Sequence, residues 1–234
     1  MTHRPLAWAL AAILPLAACT TAPHVSSAPA TGPVVLQPAA TPKLLLVSID
    51  GLRADALDRG ITPNLQRIID GGVRARWMTP SYPSLTFPNH YTLVTGLRPD
   101  HHGIIHNSMD VAELGRFKLS DREAISQGAW WGGEPIWVSA EQAGVRTATW
   151  SWPGSEAAIK GIRPSQGHGY DESVAFETRA DTVLGWLQQR DADAPRLATL
   201  YLENVDKAGH AYGPDSPQYT QAITRADSVI GRLL

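Results

Sequence analysis

The chain lacks the features that define several common classes of protein. Its 234 residues include one cysteine, Cys19, so no intramolecular disulfide can form. The formal net charge is −2, and no basic field indicates a nucleic-acid-binding surface. No internal repeat is present, and the apolar stretch from Leu6 to Ala18 is too short to span a bilayer comfortably. With 43% apolar residues, a chain of this length is sufficient for one domain with a substantial core.

The N-terminus is typical of an exported bacterial lipoprotein. The weakly basic start precedes the apolar stretch, as in a secretory signal peptide, and Leu16-Ala17-Ala18-Cys19 resembles a lipobox, in which the cysteine is lipidated. We expect residues 1–18 to be the signal peptide and Cys19 to anchor the protein in a membrane; the alternative is an ordinary signal peptide with an incidental cysteine. Thr20, in place of the inner-membrane retention residue Asp, favours the outer membrane, facing the periplasm. Residues 19–42 are rich in Ala, Pro, Thr and Ser and are predicted to form a flexible tether.

The remainder, residues 43–234, alternates between strand and helix patterns. Continuous apolar runs over 43–50 and 197–202 are typical of buried parallel strands. The alternation predicts one α/β domain with a mainly parallel sheet flanked by helices. Further strands are predicted over 73–78 and 145–150. One helix is predicted to begin at Pro63, with Thr62 as its N-cap, and a second follows the Thr86 loop and ends at Gly96. The other predicted helices cover 134–143, 173–190 and 216–234.

Three segments are predicted to lack regular structure. Residues 98–107 contain His101, His102 and His106, and the spacing of these histidines, together with Pro99 and Gly103, favours a loop over a metal site. Residues 110–133 are interpreted as an insertion or lid. The segment from Trp152 to Asp171 is also expected to be irregular.

One loop carries the strongest chemical signal. Thr86 lies between Pro83 and Pro88 at the start of a predicted helix, where backbone N–H groups and the helix dipole favour an incoming anion. A nucleophile requires such rigid support, so we interpret Thr86 as a hydroxyl that attacks phosphorus. Asn107 is interpreted as a neutral hydrogen-bond donor; its alternative is an ordinary turn residue.

Carboxylates follow two of the predicted strands. Asp50 ends the first apolar run, Asp206 lies just beyond the second, and His210 follows four residues later. Ligands of open α/β sheets bind at the carboxyl ends of the strands, and an Asp–His pair can bind one ion through oxygen and nitrogen. Taken alone, the position of Asp50 favours a helix-capping role over a catalytic one.

Five motifs, in order and with similar spacing, resemble the nucleotide pyrophosphatase/phosphodiesterase family of the alkaline phosphatase superfamily. The resemblance covers residues 43–234 and implies an alkaline-phosphatase-like core. The motifs are Val47-Ser48-Ile49-Asp50-Gly51, Ser84-Leu85-Thr86-Phe87-Pro88-Asn89-His90, His102-Gly103-Ile104 with Asn107, Trp152-Pro153-Gly154-Ser155, and Asp206-Lys207-Ala208-Gly209-His210-Ala211-Tyr212-Gly213-Pro214.

The resemblance implies zinc-dependent hydrolysis of phosphodiester or pyrophosphate bonds of nucleotides or related diesters. Asp50 and Thr86 would contribute to one Zn²⁺, and Asp206 and His210 to a second. Thr86, activated by coordination, would form a phospho-threonine intermediate, while Asn107 would donate a hydrogen bond to a non-bridging oxygen.

The family also holds the nucleobase in an apolar slot. The counterparts implied here are Phe87, Leu119, Tyr170 and Tyr201, for which ordinary packing is the alternative interpretation. Stacking of a base on an aromatic ring contributes about 1–3 kcal/mol.

One departure from the family affects the expected activity. The family's remaining ligands, an Asp-His pair and a later His, would lie beyond Leu234, so each zinc would have two protein ligands where catalytic zinc has at least three. We therefore interpret 43–234 as the N-terminal part of a phosphodiesterase domain, with weak zinc binding and impaired turnover.

Two alternative functions remain open at this point. The first is a phosphate monoesterase of the same superfamily, although Lys160 and Arg163 do not have the Lys-x-Arg spacing of that group. The second is a non-catalytic surface lipoprotein that retains a degenerate form of the fold.

Overall fold

A four-stranded parallel sheet organises residues 42–234, the part of the chain that this computed structural model describes. Six strands are present in this part, and two of them form a separate antiparallel hairpin. The strands are β1 Leu44–Ile49, β2 Ser108–Val111, β3 Gly115–Lys118, β4 Thr147–Trp150, β5 Gln166–His168 and β6 Leu197–Leu202. In the sheet the order is β1-β6-β4-β5, and every neighbouring pair is parallel.

Helices connect and flank these strands, as the α/β prediction requires. Within the described residues the α-helices are α1 Pro63–Gly71, α2 Thr86–Thr95, α3 Pro99–His102, α4 Arg122–Ser126, α5 Ile136–Gln142, α6 Phe176–Gln188, α7 Asn204–Tyr212 and α8 Pro217–Gly231. Short 3-10 helices cover Ala54–Asp58 and Gly128–Trp130. The prediction of a mainly parallel sheet flanked by helices is confirmed.

The two faces of the sheet bury different cores because successive side chains of a strand point to opposite faces. On one face, Leu200 and Leu202 of β6 pack with α6 and α8. On the other face, Leu46 of β1 and Tyr201 of β6 pack with α2, α5 and the hairpin. Ser48 and Asp50 have the same parity as Leu46, so this alternation directs both side chains towards α2.

The strand predicted over 73–78 is absent. Val73, Trp77 and Met78 are exposed, and no strand of the described residues pairs with this segment. Alternating polarity, here supplied by Arg74 and Arg76 between apolar residues, does not make a strand without a hydrogen-bonded neighbour.

Residues 110–133, predicted to be irregular, contain most of the β2–β3 hairpin and α4. One apolar cross-strand pair, Met109 with Phe117, holds the hairpin against the core. The remaining hairpin residues are mainly polar or exposed, so hydrophobic alternation gives little signal.

Other boundaries also differ from the predictions. The segment from Trp152 to Asp171 contains the short strand β5, and the 98–107 loop contains the single turn of α3. The helix predicted to run to Leu234 ends at Gly231. Thr62 is the N-cap residue of α1, but its side chain makes no capping hydrogen bond; Asp227 of α8 accepts from the backbone N–H groups of Asn64 and Leu65 instead.

The predicted signal peptide, Cys19 and the tether as far as Thr41 lie outside the described residues. The described residues belong to one compact unit. No helix between residues 42 and 234 has both the length and the apolarity that crossing a membrane requires.

Candidate active site

A cavity of about 690 Å³ lies where β1 and β6 end, and it collects nearly all the residues predicted for the site. Because Ile49 pairs with Leu202, the two strands end level with each other. The predicted site residues that line the cavity are Thr86, Phe87, Asn107, Leu119, Tyr170, Tyr201, Asp206 and His210. Asp50 is not among the lining residues. Its Oδ2, however, accepts a 2.9 Å hydrogen bond from the hydroxyl of Tyr201, which does line the cavity.

Thr86 is the first residue of α2, and the loop that leads to it is held by Asn89. The Asn89 side chain accepts from Ser81 N–H at 2.8 Å and donates to the carbonyl oxygens of Pro83 and Leu85 at 2.9 and 3.0 Å. One side chain thus fixes the loop on three sides. This role of Asn89 is not apparent from its motif, because the contacts depend on how the loop folds back.

His90 supports Thr86 through a hydrogen bond to its backbone. Its Nδ1 lies 2.7 Å from the Thr86 carbonyl oxygen, which can only accept, so Nδ1 carries the proton. Burial, partly opposed by the charge of Asp50, lowers the pKa of His90, so the ring is neutral and Nε2 accepts from the Ser48 hydroxyl at 2.7 Å. His90 is therefore a bridge between β1 and the first turn of α2, a role that sequence analysis missed.

Asn107 and Leu119 are neighbours because they flank the β2–β3 hairpin. Leu119 N–H donates to the Asn107 carbonyl at 2.9 Å. The Asn107 side-chain Oδ1 accepts from Phe87 N–H at 3.0 Å, which fixes the amide orientation and leaves Nδ2 as its donor group. Asn107 is thus attached to the first turn of α2 through Phe87, the residue after Thr86.

Asp50, Asp206 and His210 form an acidic corner of the site. Gly51 permits the close approach, since a Cβ at this position would lie 2.7 Å from the Cα of Asp206. Burial and the nearby charge of Asp50 raise the pKa of Asp206, although His210 and His90 partly oppose this. His210 Nε2 lies 3.5 Å from Asp206 Oδ1, and its side chain is 81% exposed.

The acidic corner fits zinc in the type of its donors but is incomplete in their number. Carboxylate oxygen and imidazole nitrogen are ordinary zinc ligands, and a bound cation would relieve the unfavourable charge on Asp206. Within residues 42–234, however, no three His, Cys, Asp or Glu side chains are close enough together to hold a metal ion. The loop histidine His102 is fully buried and bonds to Thr92 Oγ1 at 3.0 Å, so its role is in packing.

The residues of the predicted base slot line the same cavity as Thr86. Phe87 packs against Phe117 and Trp131, with ring centroids 5.8 and 5.9 Å apart. Leu119 is 42% exposed, and Tyr170 is held by a bond from its N–H to Glu156 Oε1 at 3.2 Å. Apolar surface therefore remains available beside Thr86 for a flat group.

The model of the type I phosphodiesterase/nucleotide pyrophosphatase family matches residues 44–234. The chain belongs to this family. The resemblance found in the sequence motifs is thereby confirmed.

Members of this type I phosphodiesterase family from distant organisms are similar to the chain. An uncharacterized pyrophosphatase/phosphodiesterase of Schizosaccharomyces pombe is 44% identical over 193 residues, covering 82% of this chain and 40% of the relative. Human ectonucleotide pyrophosphatase/phosphodiesterase family member 1 is 43% identical over 197 residues, covering 83% of this chain and 21% of the relative. The chain thus spans less than half the length of these curated relatives.

Solved structures of the family share the fold. Murine ectonucleotide pyrophosphatase/phosphodiesterase 5, as an inactive threonine-to-alanine variant in complex with AMP, superimposes with a TM-score of 0.77 at 36% identity. The match covers 82% of this chain and 51% of the murine chain. The human form of that protein superimposes with a TM-score of 0.75 at 37% identity.

Proposed function

We propose that the protein hydrolyses phosphodiester or pyrophosphate bonds of nucleotides or related diesters, with Thr86 as the nucleophile. The proposal is supported by the bond from Phe87 N–H to Asn107 Oδ1, which leaves the amide nitrogen as a donor, and by the cavity that Thr86 and Asn107 both line. Family membership supports it, as does the inactivity of the threonine-to-alanine variant of the murine relative.

The proposed reaction has two steps. Thr86 Oγ forms a bond to phosphorus while the bond to the leaving alcohol or nucleotide breaks, and the hydroxyl proton ends on the leaving group. Water then attacks the phospho-threonine, regenerates the hydroxyl and releases the phosphate product. Asn107 Nδ2 and the N-terminus of α2 stabilise charge on the non-bridging oxygens; a single donor of this type contributes about 2.7–4 kcal/mol to lowering the barrier.

Two zinc sites are part of the proposal. Asp50 and Thr86 would contribute to one, and Asp206 and His210 to the other. Zinc bound there would supply Lewis-acid chemistry, which would lower the pKa of the threonine hydroxyl and neutralise charge on the phosphoryl group.

Phe87, Leu119 and Tyr170 would hold the base of a nucleotide, with Tyr201 at the boundary between this slot and Asp50. The AMP bound to the murine relative supports a nucleotide as the small-molecule partner. Diesters without a base would bind through the phosphoryl site alone.

A covalent trap tests the nucleophile even at very low turnover. The chain is mixed with the 4-nitrophenyl ester of thymidine 5′-monophosphate, quenched in acid and mapped by mass spectrometry. We expect a nucleotidyl adduct on the Thr86 peptide in the wild-type protein and in Thr86→Ser, and none in Thr86→Ala. An adduct that persists in Thr86→Ala would show that Thr86 is not the nucleophile.

A second comparison separates the diesterase from a monoesterase. Bis(4-nitrophenyl) phosphate should be hydrolysed faster than 4-nitrophenyl phosphate. The geometry favours this result because Lys160 and Arg163 do not line the cavity; Lys160 is paired with Glu134, and Arg163 donates to the Glu156 carbonyl. A preference for the monoester would instead support the monoesterase.

We further propose that Cys19 carries a lipid and holds the protein at the outer membrane, facing the periplasm. The proposal rests on the lipobox-like sequence before Cys19 and on Thr20 after it. Incorporation of labelled palmitate into the wild-type protein, with loss in Cys19→Ser, is the expected result. Equal labelling of both proteins would exclude Cys19 as the anchor.

A further inference from the structure

The segment Tyr170–Val174, here called the rim segment, forms one side of the cavity through Tyr170, Asp171 and Glu172. It is held from the protein interior by Arg179 of α6, which is completely buried. Arg179 Nη2 donates to the Asp171 carbonyl at 2.9 Å, and Nε donates to the Val174 carbonyl at 3.0 Å. One guanidinium therefore fixes the backbone of the rim segment at two points.

The same guanidinium is bound to the start of α7. Arg179 Nη1 and Nη2 donate to the two carboxylate oxygens of Glu203 at 2.8 and 3.2 Å, and Glu203 is itself buried. A bidentate Arg–carboxylate pair fixes orientation as well as distance. Glu203 immediately precedes α7, which carries Asp206 and His210, so the pair connects the rim segment to the helix that carries the acidic corner.

Lys207 makes the same connection from the cavity side. Its Nζ lies 2.6 Å from Glu172 Oε2, 3.9 Å from Glu203 Oε1 and 5.6 Å from the centre of the Tyr170 ring. A cation over a tyrosine face attracts the ring.

We propose that Arg179 and Lys207 are positioning residues that hold the Tyr170 ring at a fixed distance from Asp206 and His210, which makes recognition of the base and of the phosphoryl group depend on one another. The inference rests on the proposed nucleotide function and adds a specificity device to it. Its ligand class is a nucleotide with a planar base; a phosphate ester without a base gains nothing from the arrangement.

Lys207→Met and Arg179→Lys test the proposal, and Lys160→Met is the matched control. Lys160 also lies 2.6 Å from a glutamate oxygen and is comparably exposed, at 52% against 48% for Lys207, but it does not line the cavity. For each protein, NMR titrations of the 234-residue chain measure the dissociation constants of AMP and of ribose 5-phosphate. Hydrogen exchange of residues 170–174 is measured in parallel.

We expect Lys207→Met to reduce the preference for AMP over ribose 5-phosphate at least fivefold and to speed exchange in the rim segment at least tenfold. Arg179→Lys should have the larger effect; if it does not fold, Lys207→Met decides alone. Lys160→Met should change neither quantity.

An unchanged AMP preference in folded Lys207→Met would overturn the proposal, and so would a reduced preference without faster exchange of the rim segment. A wild-type chain that binds AMP and ribose 5-phosphate equally would contradict the proposed nucleotide function, and the inference with it. Failure of the proposed function can be distinguished from failure of the inference alone, because it appears in the wild-type chain before any substitution is made.

Discussion

The residues of the site carry charge and hydrogen-bonding groups that a stable core would avoid, and Asp206 is the clearest case. Its carboxylate is partly buried beside Asp50, which raises its pKa above the ordinary value of 3.8. A raised carboxylate pKa means that the ionised form is disfavoured in the folded state. The folded chain is therefore destabilised at pH values above the raised pKa, and this destabilisation disappears as the pH falls below 3.8.

We expect Asp206→Asn to stabilise the metal-free chain at pH 7, because the substitution removes the buried negative charge. Loss of a favourable carboxylate from the first turn of α7 offsets part of the gain. A rise in Tm of about 2 °C, or ~0.5–1 kcal/mol for a domain of this size, is the expected result in calorimetry. Asp215→Asn is the control, since that side chain is 86% exposed and should give no change. A lower Tm for Asp206→Asn would contradict the charge argument.

Residue identities were predictable where local sequence determines them. Thr86 precedes a helix and Asp50 ends a strand, and both facts can be read from neighbouring residues. The partners of His90 and Tyr201 could not be read in this way. Ser48 reaches His90 across the contact between sheet and helix, and Asp50 reaches Tyr201 across two neighbouring strands. Both contacts depend on packing between distant segments.

At the scale of elements, the junction after β1 depends on a glycine that no side chain can replace. Gly51 has φ +72°, and a Cβ there would meet the backbone of Asp206. Gly60 has nearly the same φ, +69°, but nothing within 4 Å of the corresponding position. Comparing substitutions at the two glycines therefore distinguishes the cost of left-handed backbone from the cost of steric contact.

Gly51→Ala and Gly60→Ala should therefore differ in stability. Left-handed backbone costs about 1–2 kcal/mol in either variant, and overpacking at Gly51 adds about 1–3 kcal/mol. Urea unfolding at equilibrium measures both values. Equal losses would show that α7 moves away from the new methyl group at little cost.

The N-terminus of helix α1 is capped by a carboxylate from α8. Asp227 is 1% exposed and accepts from Asn64 N–H at 3.1 Å, Asn64 Nδ2 at 2.9 Å and Leu65 N–H at 2.8 Å. It thus satisfies helix N-terminal donors that Thr62 was predicted to satisfy.

Asp227→Ala should destabilise the chain by about 2–3 kcal/mol, because charge-assisted bonds are lost and buried donors remain unpaired. Asp181→Ala is the control. Asp181 also contacts α8, through Arg232, but it is 50% exposed and its ion pair should contribute at most about 1 kcal/mol. Similar losses in the two variants, measured by urea unfolding, would argue against a capping role for Asp227.

Long or strongly patterned elements were predictable, and short ones were not. The bounds of β6 agree with the predicted 197–202, and the loop before Thr86 leads into a helix closed by Gly96. The hairpin strands have four residues each and β5 has three, too few for a period to emerge. The hairpin nevertheless determines the site, since it brings Leu119 to Asn107.

At the scale of the whole molecule, the order of strands could not be predicted, although the type of sheet could. Parallel pairing of β1 with β6 joins opposite ends of the described chain, and it brings Asp50 and Asp206 to one corner. The sequence predicted carboxylates at strand ends; that these strands are neighbours is a property of the complete sheet. The number of metal donors in the corner is likewise a property of the whole molecule.

Zinc should therefore bind the 234-residue chain weakly. A complete site with a Kd of 1 μM would stabilise the chain by about 2.7 kcal/mol at 100 μM zinc, which corresponds to a Tm increase of roughly 5–11 °C. With the partial donor set of Asp50, Thr86, Asp206 and His210, we expect a Kd of about 100 μM and a stabilisation of about 0.4 kcal/mol, or ~1–2 °C. Differential scanning fluorimetry with and without zinc, and with chelator added afterwards, measures the shift.

His210→Ala should abolish this small shift, whereas His101→Ala should retain it. The two histidines are matched, because each lies near one aspartate, at 3.5 Å from Asp206 and 3.6 Å from Asp100, and each is largely exposed. His101, however, is not a lining residue of the cavity. A Tm increase of 5 °C or more in the wild-type chain that disappears in His210→Ala would show that residues 42–234 already form a complete zinc site. Equal shifts in both variants would place the binding outside the acidic corner.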